Sequence, residues 1–230
     1  MAALLISLSI LYKYIPIFIL PVLGITNRKI NWKFSLSAFA FLTAGFGASY
    51  YFWGVKMLNP FLVNAGRESK ILSIFRYFRG EYSFLKFFGV ENIDFLSTYF
   101  VVGAVLTVFV LHVIYQWHYL HSLIITLLAV FLFYKVGHFQ FYISVYFILF
   151  FYLAKSRQTI GEEVITRKKV FQFLYWLAGI TILYGATEGF YRKFSVIREF
   201  ISVPHTIMLA ILLVAFVKQA CQSRNKIAFG

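Results

Sequence analysis

The chain has 230 residues, 61% hydrophobic and 21% aromatic, with only 13% charged, a mean hydropathy of +0.78 and a net charge of +14. A soluble domain carries about 25% charged residues, so this composition excludes a chain that covers its own aqueous surface and points to one solvated by lipid. The 22 lysines and arginines against 8 acidic residues lie in connectors beside apolar runs, where headgroups and topology account for them and no nucleic-acid partner is expected.

From the N-terminus, Ala2 to Ile25 is apolar but broken by Lys13-Tyr14-Ile15-Pro16 and again by Pro21. Proline removes a helix donor and clashes with the preceding turn. The segment is therefore either one kinked span or two half-length helices meeting at Lys13. It has no basic start and is too long for a cleavable signal. Six spans follow: Phe34–Trp53, Phe95–Ile114, Tyr119–Tyr134, Phe139–Ala154, Val170–Thr187 and Val203–Val217. Helices satisfy their own backbone groups, as hydrocarbon demands. The expected fold is all-α: one polytopic transmembrane helical bundle over residues 1–230, in a multi-pass protein of the cell membrane with lipid as its surrounding partner.

The short connectors set the sidedness. Arg28, Lys29 and Lys33 form one basic cluster; Lys155, Arg157, Arg167, Lys168 and Lys169 form another; Lys218, Arg224 and Lys226 close the tail. Four spans separate the first cluster from the second and two separate the second from the tail. All three fall on one face, which the positive-inside tendency assigns to the cytoplasm. The other face receives the connector 54–94, the interruption Lys135–Gln140 and the connector Glu188–Ser202.

Within 54–94, Ser69–Arg79 has helical spacing. Ile71, Ile74, Phe75 and Phe78 fall on one arc and Lys70, Ser73, Arg76 and Arg79 largely on the other. That pattern predicts an amphipathic helix lying in the membrane surface, apolar side down. It serves either as a headgroup anchor or as a clamp in which Arg67, Lys70, Arg76 or Arg79 holds a phosphate, a task that suits arginine's planar fork. Gly66 and Gly80 bracket it.

The interruption Lys135-Val-Gly-His138-Phe-Gln140-Phe-Tyr142 places polar groups between two apolar runs. Polar groups in hydrocarbon cost a few kcal/mol unless they face a partner, a cavity or headgroups. His112, His118 and His121 lie near the turn at Gln116-Trp117 on the cytoplasmic side. They have no cysteine or carboxylate beside them and are read as interfacial, with no metal and no cofactor expected. The lone Cys221 closes no internal disulfide and is read as a bystander rather than an acylation site. The non-cytoplasmic acids Glu68, Glu81, Glu91, Asp94, Glu188 and Glu199 are scattered, without an Asp-x-Asp pair, and nothing in their spacing selects a catalytic residue.

Lys13-Tyr14-Ile15-Pro16, followed by Leu20-Pro21, resembles the Lys-Tyr-x-Pro element of GT-C-class glycosyltransferases, among them the polyprenyl-phosphate-mannose-dependent mannosyltransferases. Lys135-Val136 with Gln140 and the aromatics Phe141 and Tyr142 resembles a later Lys-Val-x-x-x-Gln-Tyr element, although the proline that follows it in the family is absent here. The arginine-rich loop around Ser73-Ile74-Phe75 is similar to the middle of that family. These elements run in the family's order from Lys13 to Ala154. The family's catalytic acid lies upstream of the first element, so none is carried over, and the chain resembles the C-terminal half of such an enzyme. Lys13, Tyr14, Pro16, Lys135, Val136 and Gln140 match residue by residue. The resemblance implies sugar transfer from a polyprenyl-phosphate donor on the non-cytoplasmic face, with a missing N-terminal half as a further partner. On that reading Lys13, Lys135, His138 and one of Arg67, Arg76 or Arg79 contact phosphate, Gln140 orients sugar or phosphate, and Lys13 alternatively reaches a headgroup. Two other classes remain beside it: an O-antigen polymerase or ligase, for which the connector 54–94 is short, and a transporter or non-catalytic membrane subunit, for which no matching second broken helix is seen.

Overall fold

The structure is a computed structural model and describes residues 1–12, 15–26, 29–59, 67–90, 93–135, 142–155, 162–186 and 195–228. Lys13, Arg28, Glu91, His138, Gln140, Arg157 and Glu188 lie outside them. The described chain is helical apart from a two-residue antiparallel ladder, Ile25–Thr26 with Lys29–Ile30. In chain order the helices are α1 (Ala2–Tyr12), α2 (Leu20–Leu23), α3 (Trp32–Trp53), α4 (Ile74–Arg79), α5 (Leu96–Tyr115), α6 (Tyr119–Phe133), α7 (Ile143–Lys155), α8 (Glu162–Ala186), α9 (Ser195–Phe200) and α10 (Ser202–Ala228), with 3-10 turns at Ile15–Ile19, Gly54–Leu58 and Phe84–Phe88.

Helix α6 is the hub. Ser122 and every residue from Ile124 to Phe131 are buried, because α5, α7 and α10 pack around it. A helix apolar on all sides belongs in such a position. The core continues through Val145, Leu149 and Tyr152 of α7, Val170, Phe173 and Leu177 of α8, and Leu209, Leu212 and Phe216 of α10.

The N-terminal segment forms two short units rather than one kinked span. Ser7 Oγ donates to the Ala38 carbonyl at 3.2 Å and Leu11 lies against Gly45, so α1 runs parallel to α3. The chain then returns: Ile15 enters the core around α6, and the Asn31 amide reaches the Gly24 carbonyl at 2.8 Å beside the start of α3. Pro16 and Pro21 sit in the 3-10 turn and at the start of α2, where a missing amide hydrogen is tolerated.

The surface-helix expectation for Ser69–Arg79 is corrected in length and in setting. Ser73 starts the helix by accepting from the Phe75 amide at 3.3 Å, so only Ile74–Arg79 is helical. Its apolar arc faces protein: Leu72 and Phe75 are buried, and the element packs on α6 and α10. Helix α8 begins at Glu162 rather than Val170 because Glu, Arg and Lys are good helix formers and extend the apolar segment backwards. Helix α10 likewise runs through the tail cations.

Among the described residues, two helices have the length and mean hydropathy to cross a membrane, Leu96–Tyr115 and Ser202–Gln222. Helices α6 and α7 are apolar but have 15 and 13 residues, roughly 20 Å at 1.5 Å per residue against a hydrocarbon core of about 30 Å.

The bundle has two chemically distinct ends. Lys155 Nζ lies 6.0 Å from the Tyr119 ring, and Tyr152 Oη donates to Gln219 Oε1 at 2.8 Å, bringing Lys155 and Lys218 to one end. The hairpin that carries Lys29 shares a cavity with Phe109, toward the same end of α5. The described members of all three basic clusters therefore gather together. Ser97, Phe133, Lys135 and Glu199 mark the opposite end.

A candidate anion-binding end of the bundle

Backbone ties assemble that opposite end. The Lys70 amide donates to the Lys135 carbonyl at 2.9 Å, and the Lys135 amide donates to Ser97 Oγ at 2.9 Å. Ser97 Oγ in turn donates to the Phe133 carbonyl at 2.6 Å, satisfying a group at the end of α6 that has no partner within its own helix. Two segments more than sixty residues apart in sequence thus meet over α5 and α6. Arg76 and Arg79 sit on α4 immediately above this junction, while Arg67 and Lys70 are exposed at its rim.

Carboxylates fix the arginines. Asp94 is 5% exposed; its Oδ2 accepts from the Ser69 amide at 2.9 Å and lies 3.8 Å from Arg79 Nη1. Arg79 Nη2 donates to Glu68 Oε1 at 2.6 Å. That hydrogen bond, and then the guanidinium charge, hold the Glu68 carboxyl below its ordinary value. Glu199 is 4% exposed, with Oε1 4.0 Å from Arg76 Nη2 and Oε2 accepting from the Tyr82 amide at 3.5 Å. A buried carboxylate persists only when paired and hydrogen-bonded, and both conditions are met. Arg67, Lys70, Arg76, Arg79 and Lys135 outnumber Glu68, Glu81, Asp94 and Glu199, which leaves a net positive end.

Beneath it, Tyr142, His205 and Trp176 tie α7, α10 and α8 together. Trp176 Nε1 donates to His205 Nδ1 at 3.2 Å, and His205 Nε2 lies 2.6 Å from Tyr142 Oη. An indole nitrogen only donates, so Nδ1 is the acceptor, Nε2 carries the proton and the Tyr142 oxygen accepts it. The three side chains pin the N-terminal ends of α7 and α10 where the polar segments leave the bundle.

Of the residues singled out in the sequence, Arg67, Arg76, Arg79 and Lys135 come together here; Lys13, His138 and Gln140 lie outside the described residues. The acids were missed as a set. Their expected role as solvated partners holds for exposed Glu81 and for Glu68, but Asp94 and Glu199 are buried and position the arginines. Asp94 carried a signal, as the chain's only aspartate and at the edge of a span. Ser97 carried none.

No protein-family model matches the chain, and neither does any curated protein or solved structure.

Among the described residues no group of three or more His, Cys, Asp or Glu is placed to hold a metal ion. His112 Nδ1 instead shares a hydrogen bond with Ser122 Oγ at 2.8 Å, and His118 Nδ1 accepts from the Leu120 amide at 3.3 Å to cap α6. Chemically, the polar end offers pre-positioned cations with anchored geometry. That arrangement suits a phosphate or phosphodiester held against the end of an apolar bundle.

Proposed function

We propose that the chain is a multi-pass membrane protein with six spans, α3, α5, α6, α7, α8 and α10, and that its polar end grips the phosphate of a polyprenyl-phosphate-linked sugar on the non-cytoplasmic face, as a module of a GT-C-like glycosyltransferase. Large apolar side chains on the flank support the membrane part: Phe39 is 70% exposed, Phe147 71% and Ile182 69%, along three different helices. Soluble monomers rarely expose contiguous apolar area of that kind. The gathering of the basic clusters at the other end agrees with a cytoplasmic location for them.

The single observation that carries the ligand reading is the Lys70–Lys135 backbone hydrogen bond, 2.9 Å long. It brings the two segments that resemble the GT-C pattern into one cation-rich surface. A leaving polyprenyl phosphate gains charge during transfer, and fixed cations stabilise it without reorganising. The test is binding by the full chain in lipid nanodiscs to polyprenyl phosphate and to the matching uncharged polyprenol. Tighter binding of the phosphate is expected, with the preference reduced at least tenfold in an Arg67→Ala/Lys70→Ala/Arg76→Ala variant. Equal affinity for phosphate and alcohol in the unaltered protein overturns the reading.

A second reading, a non-catalytic lipid-binding subunit, is favoured by the positions of Asp94 and Glu199. Each accepts from a backbone amide and faces an arginine, so both serve as struts rather than as bases for an acceptor hydroxyl. Transfer of labelled sugar from polyprenyl phosphate by purified protein separates the two readings: turnover supports the enzyme, and binding without turnover supports the subunit.

A further inference from the structure

Helices α5 and α6 part along one flank to leave an open groove of about 450 Å3, closed on its other side by Leu213 and Val217 of α10. Its wall on α5 runs from Tyr99 to Leu111, about 18 Å at 1.5 Å per residue, slightly more than one leaflet of hydrocarbon. Gly103 and Ala104 create the space, because neither projects a large side chain into it. A Cβ built on Gly103 meets no atom within 4 Å. Trp117, stacked on Tyr115 with ring centroids 6.1 Å apart, closes the far end.

The near end opens at the cationic surface. Phe100 and Phe133 line the groove and stack at 5.5 Å, and Phe100 also meets Phe75 of α4 at 6.4 Å, one residue from Arg76. The Phe133 carbonyl is the group that Ser97 ties to Lys135. A hydrocarbon chain lying in the groove therefore ends beside Arg76 and Lys135, where a charged head meets cations. We infer that this groove holds the single hydrocarbon chain of a lipid phosphate, with Gly103 setting the room available and the phosphate at the α4–Lys135 junction. The inference deepens the proposed function by locating the chain of the ligand; it rests on that reading only for the identity of the head.

Apolar contact alone would admit any acyl chain, but the continuity of groove and cations selects an anionic head. A single cleft of one chain's length beside one cationic junction fits a one-chain lipid better than a two-chain one. Filling the groove at Gly103 tests this without attacking the fold, because leucine is a better helix former than glycine and meets open space there.

The experiment measures binding of polyprenyl phosphate, polyprenol and two-chain phosphatidate to the full chain in nanodiscs of neutral lipid, by native mass spectrometry. It compares the unaltered protein with Gly103→Leu and with Ile182→Ala, a lipid-facing control on α8. Gly103→Leu is expected to weaken polyprenyl phosphate and polyprenol alike by at least tenfold, with an unchanged melting temperature, while Ile182→Ala changes neither. Undiminished binding in Gly103→Leu overturns the groove. Phosphatidate binding as tightly as polyprenyl phosphate, with the same sensitivity to Gly103→Leu, overturns the one-chain assignment. Loss of binding in Gly103→Leu without any preference for phosphate over alcohol leaves the groove standing and removes the proposed head.

Discussion

Glu199 lies where a side chain on residue 80 would have to go. A Cβ built on Gly80 comes 2.5 Å from Glu199 Oε2, yet Gly80 has an ordinary backbone conformation, with φ −67 and ψ 163. Close approach, rather than conformational freedom, accounts for the glycine. Gly80→Ala should push the carboxylate off the Tyr82 amide and away from Arg76, costing about 1–3 kcal/mol for a buried acceptor and donor left poorly paired. A fall in melting temperature checks this, and the fall should shrink when Glu199→Ala is added, since the clash then has no partner. Glu68 behaves differently because it is exposed. Its carboxyl titrates below 4.5 in the fold, held there by Arg79, so its small contribution is complete above the unfolded value and disappears as pH falls through the lowered folded value. Glu68→Gln should melt below the unaltered protein at pH 6 and converge with it well under pH 4. A constant gap across that range contradicts the assignment.

At the scale of elements, Ser97 is the residue on which three segments depend. It donates to the last carbonyl of α6 and accepts from Lys135, whose own carbonyl receives the Lys70 amide. Ser97→Ala leaves two backbone groups without these partners and should cost about 2 kcal/mol. It should also weaken polyprenyl phosphate binding while leaving polyprenol binding unaltered, because the cations lose their common anchor. The elements themselves were largely legible: α3, α5, α6 and α10 begin within two residues of the apolar runs that predict them. The proline-broken start also resolved into one of its two expected forms, with α1 parallel to α3. The errors have a common cause. Periodicity reports that Ile71, Ile74, Phe75 and Phe78 share an arc, but not whether that arc meets lipid or protein, and here Leu72 and Phe75 turn into the bundle. Burial of Asp94 and Glu199 was equally unreadable, because it depends on contacts with Ser69, Tyr82 and the arginines that no local pattern encodes.

For the whole molecule, the charge distribution along the axis is the feature that composition and counting anticipated best. Parity of the spans placed Lys29, Lys33, Lys155 and Lys218 on one face, and in the fold Lys155 stands over Tyr119 while Tyr152 binds Gln219 beside Lys218. The polar end sits at the far side of α5, α6 and α10, with Glu81 exposed upon it. Cations are retained on the cytoplasmic side during insertion, and that bias acts on short loops far more than on long ones. The cations of the 54–94 connector are therefore compatible with the opposite face. Cysteines placed at Glu81, Lys33 and Lys155 in a Cys221→Ala background should then divide into two groups. Glu81→Cys is expected to react with a membrane-impermeant maleimide on intact cells; Lys33→Cys and Lys155→Cys should react only after permeabilisation. Labelling of all three from one side would refute the axial arrangement, and with it the placement of the phosphate grip outside the cell.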